Sequence, residues 1–326
     1  VLKKGTKQIR GDIDFFRSYR DMDFENLRDQ TLEIDFDSVK TKHYVVIYNS
    51  RYPMPAECLA EKHHISLSTV KSVFIHLIHA YNWSFVCRYL VTPMEIIEYL
   101  DWRERFLNYY KDKPELKEKS EKWLVGRFVG SPKVPEPDYD DFHKDYEGWV
   151  DALEGREREN LKFKGIVQTL APPNNIPQQF NREYHKTLLE LALLDRTGRK
   201  AFIERYDLVG RKVLDGVYDC VYRFSEGTKV GFVFCPATSD LDERQRLNGL
   251  RHFTYAHKYE HKLNKCIGLY IYPGQNGKLL VDWHYTKERW EKSYEWDQVV
   301  KELYRKGIFL PLKKQRIPRY KFRDGQ

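Results

Sequence analysis

The chain has 326 residues, enough for two or three domains that each bury a core of their own. It carries 56 Lys and Arg against 48 Asp and Glu, a net charge of +8 that fits an anionic partner, although a balance this modest also occurs without one. No apolar run approaches the ~18 residues of a membrane-spanning helix, and the first residues lack the charged-then-apolar pattern of a signal peptide.

The five cysteines, Cys58, Cys87, Cys220, Cys235 and Cys266, are odd in number and form no CxxC pair. That argues against a disulfide framework or a Cys-rich zinc site and fits a reducing, cytoplasmic setting. The opening at Val1 is read as the result of upstream sequence having been removed. Residues 1–40 are charged with scattered aromatics. Asp12, Asp14, Asp21, Asp23, Asp35 and Asp37 lack the Gly and the closing Glu of a calcium loop, so the segment reads as irregular or short-stranded.

Tyr44 to Tyr48 is apolar enough for a buried strand or a helix start. A helical domain is expected over 41–128. Pro55 to Lys62 suits a short helix, His63 to Ser66 a turn, and Leu67 to Ala80 a second helix, with Val70, Val73, Phe74, Leu77 and Ile78 spaced by three and four. The run Leu59-Ala60-Glu61-Lys62-His63-His64-Ile65-Ser66-Leu67-Ser68-Thr69-Val70 resembles a helix-turn-helix, covering residues 56–80. The resemblance implies that Ser66, Ser68, Thr69 and Lys71 open the recognition helix, where phosphates and base edges are met. It also implies that Trp83 to Val91 is the strand of a winged variant. Protein contact by the same geometry stays open beside DNA readout.

Thr92, Pro93 and Glu95 form a helix start, a capping Thr followed by Pro at the first position and Glu three residues on. An acidic, Pro-rich linker with one helix, Trp149 to Leu161, is expected over 129–180, and Ala171 to Pro177 marks a boundary.

The C-terminal domain is expected over 181–312. A helix runs from Asn181 to Arg196 and Gly198 stops it; residues 201–210 connect to a strand over Val213 to Phe224. A strand over Lys229 to Cys235, a helix over Asp240 to Lys262, strands over Ile267 to Tyr272 and Lys278 to Trp283, and a helix over Tyr294 to Lys306 follow. Over residues 180–285 this order resembles the restriction-endonuclease-like, or PD-(D/E)xK, superfamily. The fold class is thus α+β and multidomain, with a helix-turn-helix or winged-helix-like N-terminal region and a mixed α/β restriction-endonuclease-like domain.

The resemblance implies specific chemistry. In this fold an Asp on one strand and an acid on the next hold Mg²⁺ at the scissile phosphate, and a Lys two residues on activates water. Asp215 matches the first acid and metal ligand, Glu190 the helix carboxylate some members add, and Gln245 a helix Gln. The acid-x-Lys seats read Phe234, Cys235 and Pro236. The domain is therefore expected to have lost cleavage, with Mg²⁺ as a cofactor only if it still cuts. An active Mg²⁺-dependent endonuclease stays open if Asp219, of the same strand parity as Asp215, completes the site.

His257, Glu260 and His261 match HxxEH, which would set two rings against one zinc as in a metallopeptidase. The same helix is densely basic, and Arg244, Arg251, Lys258 and Lys262 suit a nucleic-acid backbone. So do Lys313, Lys314 and Arg316 in a basic, aromatic tail over 313–326. The expectation is a protein that binds DNA or RNA, most simply DNA, as a subunit with protein partners in a defence, transposition or repair assembly and without a membrane. An interaction subunit that touches no nucleic acid is the other reading.

Overall fold

The computed structural model describes residues 5, 7–9, 11, 21–25, 31–35, 43–48, 64–67, 73–114, 116, 119–130, 146–170, 178–226, 230–274 and 277–311. The chain divides into two compact units, Val1–Leu90 with Ile96–Leu153, and Val91–Glu95 with Glu154–Gln326. Both mix helix and strand. No described helix is long and apolar enough to cross a membrane.

In the first unit β1 (Asp21–Glu25) pairs antiparallel with β2 (Thr31–Asp35). A second sheet has the order β3-β5-β4. Its central strand β5 (Val73–His79) runs parallel to β3 (Tyr44–Tyr48) and antiparallel to β4 (His64–Leu67). The helix expected over 67–80 is therefore a strand over 73–79, and Ser66 lies in β4, not at the start of a recognition helix. The physical reason is visible in Val73-Phe74-Ile75-His76-Leu77-Ile78. Such a continuous β-branched and aromatic run satisfies a three-and-four spacing by accident, yet it buries both faces of a central strand. Ile75, His76, Leu77 and Ile78 are all buried. Residues 56–63 and 68–72, with Ser68, Thr69 and Lys71, lie outside the described residues.

The strand expected over Trp83–Val91 is instead helix α1 (Ala80–Tyr89). Helices α2 (Pro93–Tyr109) and α3 (Glu121–Gly130) follow. The start of α2 is as expected: the Glu95 amide donates to Thr92 Oγ1 at 3.2 Å, and the Thr92 amide donates back to Glu95 Oε2 at 3.4 Å. Trp102, Phe106, Leu124 and Phe128 centre the core these helices share.

In the second unit the part of α4 (Tyr146–Thr169) from Glu154 onward, α5 (Gln178–Ala192) and α6 (Arg196–Leu214) precede a four-stranded sheet of order β6-β7-β8-β9. The strands are β6 (Tyr222–Glu226), β7 (Val230–Pro236), β8 (Lys265–Pro273) and β9 (Leu279–Lys287). Pairings are antiparallel, parallel and antiparallel in turn. Helix α7 (Glu243–Glu260) makes the β7–β8 crossover, and α8 (Tyr294–Arg305) closes the chain described. Phe202, Phe232, Phe234, Ile267 and Leu269 form one core with α6, while Val233, Cys235, Leu250, Ala256 and Leu303 form another with α7 and α8. Gly268 lets α7 lie close, since a Cβ there would meet Thr254 Oγ1 at 2.1 Å.

The connection expected at 201–210 and the strand expected from Val213 are corrected by α6. Gly198 does not stop a helix; its amide donates to Asp195 Oδ1 at 2.7 Å in the first turn of α6. Phe202, Ile203, Tyr206, Val209 and Val213 then recur at helical spacing and are buried. Gly216, at φ +70°, ends the helix.

Helix α7 opens with a reciprocal cap. The Gln245 amide donates to Asp242 Oδ1 at 2.7 Å, and the Asp242 amide donates to Gln245 Oε1 at 3.1 Å. Gln245 thus serves the helix end. Asp242→Ala is expected to cost about 1 kcal/mol, read as a lower urea midpoint with unchanged slope.

Candidate nucleic-acid interface

The expected catalytic residues do not converge. Asp215 is the exposed C-terminal cap of α6, so it shares no strand parity with Asp219. Asp219 is exposed too and accepts from Lys212 Nζ at 2.5 Å. Hydrogen bonding to Lys212 holds its carboxyl below the ordinary range. Glu190 is buried at the opposite end of the sheet, roughly 20 Å away along the strands. There it accepts from Lys265 Nζ at 2.6 Å and from the Tyr285 hydroxyl at 3.3 Å. Phe234, at the position where the resemblance would put an acid, is wholly buried with its ring centroid 5.2 Å from Phe202 and 6.1 Å from Phe224.

The basic helix presents a more organised surface. Arg251, Tyr255, Lys258 and Lys262 are spaced by four, three and four, which sets them on one stripe of α7 and its end. Beside the stripe lies a cavity of about 390 Å³, lined by Tyr255, Lys258, Tyr259, the segment 288–293 and Trp296. Four aromatic side chains wall it. Tyr259 stacks on Trp290 with centroids 5.9 Å apart, and Tyr255 on Trp296 at 6.0 Å. Lys262 Nζ stands 5.3 Å over the Trp290 ring and Lys258 Nζ 5.5 Å over Tyr255.

The segment 288–293 is pinned by polar contacts. Trp290 Nε1 donates to the Tyr259 carbonyl at 3.0 Å, and the Trp290 amide donates to Asn264 Oδ1 at 3.1 Å. The Tyr259 hydroxyl donates to the Ser293 carbonyl at 2.7 Å and accepts from the Ser293 amide at 3.1 Å, while Ser293 caps α8 by accepting from the Trp296 amide at 3.3 Å. The aromatic walls are thereby fixed before any ligand arrives. Among the lining residues Lys258, Arg289 and Lys292 face Glu288 and Glu291, a balance of +1 that Lys262 and Arg251 extend outward.

Of the sequence-predicted contacts, the structure brings Lys258 to the cavity but buries it 3.6 Å from Glu288 Oε2, places Lys262 over the Trp290 wall, and leaves Arg244 and Arg251 exposed on α7. Lys313, Lys314 and Arg316 lie outside the described residues. Sequence reading missed Trp290, Trp296, Arg289 and Lys292. The signal was the run Lys287-Glu288-Arg289-Trp290-Glu291-Lys292, an aromatic set among charges between a strand and a capped helix. The chain matches no protein-family model, and neither the curated proteins nor the solved structures compared with it include a match.

Proposed function

We propose that the protein binds nucleic acid through the α7 stripe and its aromatic cavity, and that its nuclease-like domain serves binding in place of cleavage. The carrying observation is the cavity itself, where paired aromatic stacks sit beside Arg289 and Lys292, and where the buried Lys258 is paired with Glu288 at 3.6 Å. Aromatic faces stack bases and nearby cations meet phosphates. The helix, strand, strand, helix, strand, strand order of the second unit supports the restriction-endonuclease-like reading. The aromatic filling of the Phe234 seat supports lost cleavage, because a carboxylate there would need a metal or a cation in place of two rings.

Retention on duplex and on single-stranded DNA at two salt concentrations tests the reading. Binding is expected to weaken with salt, and Lys262→Gln with Lys292→Gln to lower the salt slope by about 1 per residue. Trp290→Ala is expected to weaken binding about 5- to 100-fold on the stacked strand. Binding that ignores salt and both changes would leave the interaction-subunit reading in its place.

A further inference from the structure

We infer that the C-terminal end of α7 holds a divalent transition metal, of the Zn²⁺ class, between His257, Glu260 and His261. One donor atom from each of these residues lies within 4.8 Å of the others. Their i, i+3, i+4 spacing puts all three on one helix face. His257 is wholly buried, and its Nε2 is 3.2 Å from the Ser225 hydroxyl oxygen and 3.2 Å from the Phe224 carbonyl, which can only accept. The proton therefore sits on Nε2, and Nδ1 carries a lone pair. Nδ1 is buried and meets no hydrogen-bond donor among the described residues. A ring that donates one N–H to a backbone carbonyl and keeps the other nitrogen bare is the usual state of a metal-bound histidine.

His261 offers a second bare nitrogen. Its Nε2 is buried, makes no hydrogen bond among the described residues, and lies 3.7 Å from Glu260 Oε1. Two donors on a tetrahedral zinc are about 3.4 Å apart, and two imidazole rings sharing one lie with centroids about 5 Å apart. The centroids of His257 and His261 are 4.7 Å apart. The site also sits at a helix C-terminus, where a cation is favoured.

A peptidase role does not follow. Glu260 accepts from Arg223 Nη1 and from the Tyr304 hydroxyl, so its carboxylate is held in place and is not available as a general base. The metal would join α7 to β6 and α8 through these contacts. Arg223 opposes a cation electrostatically; the Glu260 carboxylate and the helix end answer it. The other cluster, His43, His76 and Glu104, is unsuited. Arg103 Nη1 donates to His76 Nδ1 at 3.1 Å, which puts the proton on the Nε2 that a metal would need.

The test is titration of the full chain, free of any affinity tag, with Co²⁺ as a spectroscopic stand-in, followed by Zn²⁺ competition. One equivalent is expected to give the visible band of tetrahedral Co²⁺, bleached by Zn²⁺, and Zn²⁺ is expected to raise Tm by several degrees. His261→Ala should abolish both effects while leaving the far-ultraviolet circular dichroism intact. His43→Ala should leave them unchanged. Absence of a band and of a Tm shift in the unaltered chain would overturn the site, as would a band that survives His261→Ala. Nucleic-acid binding is read separately and bears on neither outcome.

Discussion

Glu95→Ala is expected to cost the second unit about 3–5 kcal/mol, more than any surface change in the molecule. Glu95 is 1 % exposed and stands at the start of α2. Its Oε1 accepts from Arg156 Nη2 and lies 3.2 Å from Arg199 Nε, while Oε2 accepts from the amides of Val91 and Thr92. Arg156 and Arg199 are themselves 4 % and 0 % exposed, and Glu159 faces both, at 3.3 and 3.7 Å. Two carboxylates thus balance two buried guanidiniums, and Asn160 Oδ1 accepts from Arg199 Nη1. Burial pulls Arg156 and Arg199 below the ordinary guanidinium range, the mark of a desolvation cost that the carboxylates offset. Removing Glu95 leaves two buried cations on one half-exposed acid. Hydrogen-exchange protection of the α6 amides should fall by about a hundred- to a few-thousand-fold. Glu95→Gln, which keeps shape and acceptor, should fall between. Unchanged protection in Glu95→Ala would show that water reaches the pair.

The parts of this unit that were legible in sequence are those whose signals are local. β7 and β8 are short apolar runs bounded by turn residues, and α7 announces itself by Asp242 and Gln245 three residues apart. Thr92 and Glu95 gave the start of α2 for the same reason, although nothing local says that Glu95 also neutralises Arg156 from 61 residues away. The errors fell where two periods overlap. Leu214, Tyr218, Cys220, Tyr222 and Phe224 share one strand parity and suggest a strand, but Val213 closes a helical series that begins at Phe202. β5 was misread because a strand flanked on both edges loses its alternation, and its parallel partner β3 lies some thirty residues earlier. The cavity was illegible because its shape depends on the Tyr259 hydroxyl reaching Ser293. Its chemistry, Trp among Lys, Arg and Glu, was readable without its geometry.

Acid is expected to unfold the first unit through His76, by about 3 kcal/mol between pH 6.5 and 4.5. His76 is 0 % exposed at the centre of β5. Burial first, then the charge of Arg103 and the neighbouring His43 and His64, hold its imidazole down to about 2. Arg103 cannot move away: its Nε and Nη2 donate to Glu121 Oε1 and Oε2, each at 2.9 Å, and Nη2 also lies 3.3 Å from the Leu77 carbonyl. A folded-state value below the unfolded 6.5 means that the unfolded chain takes up the proton first. The stability His76 contributes is therefore complete above pH 6.5 and is lost as pH falls toward about 2, at about 1.4 kcal/mol per unit. Glu104, packed nearby, works in the opposite sense: burial raises its carboxyl, so it favours the folded state as pH falls through its folded value. The two are separated by His76→Asn, whose side-chain oxygen can still accept from Arg103. Urea midpoints measured at pH 7, 6, 5 and 4.5 should fall steeply in the unaltered chain. In the variant the same series should flatten by about one proton's worth of slope, from a lower starting stability. Parallel slopes in the two proteins would assign the acid sensitivity to other groups.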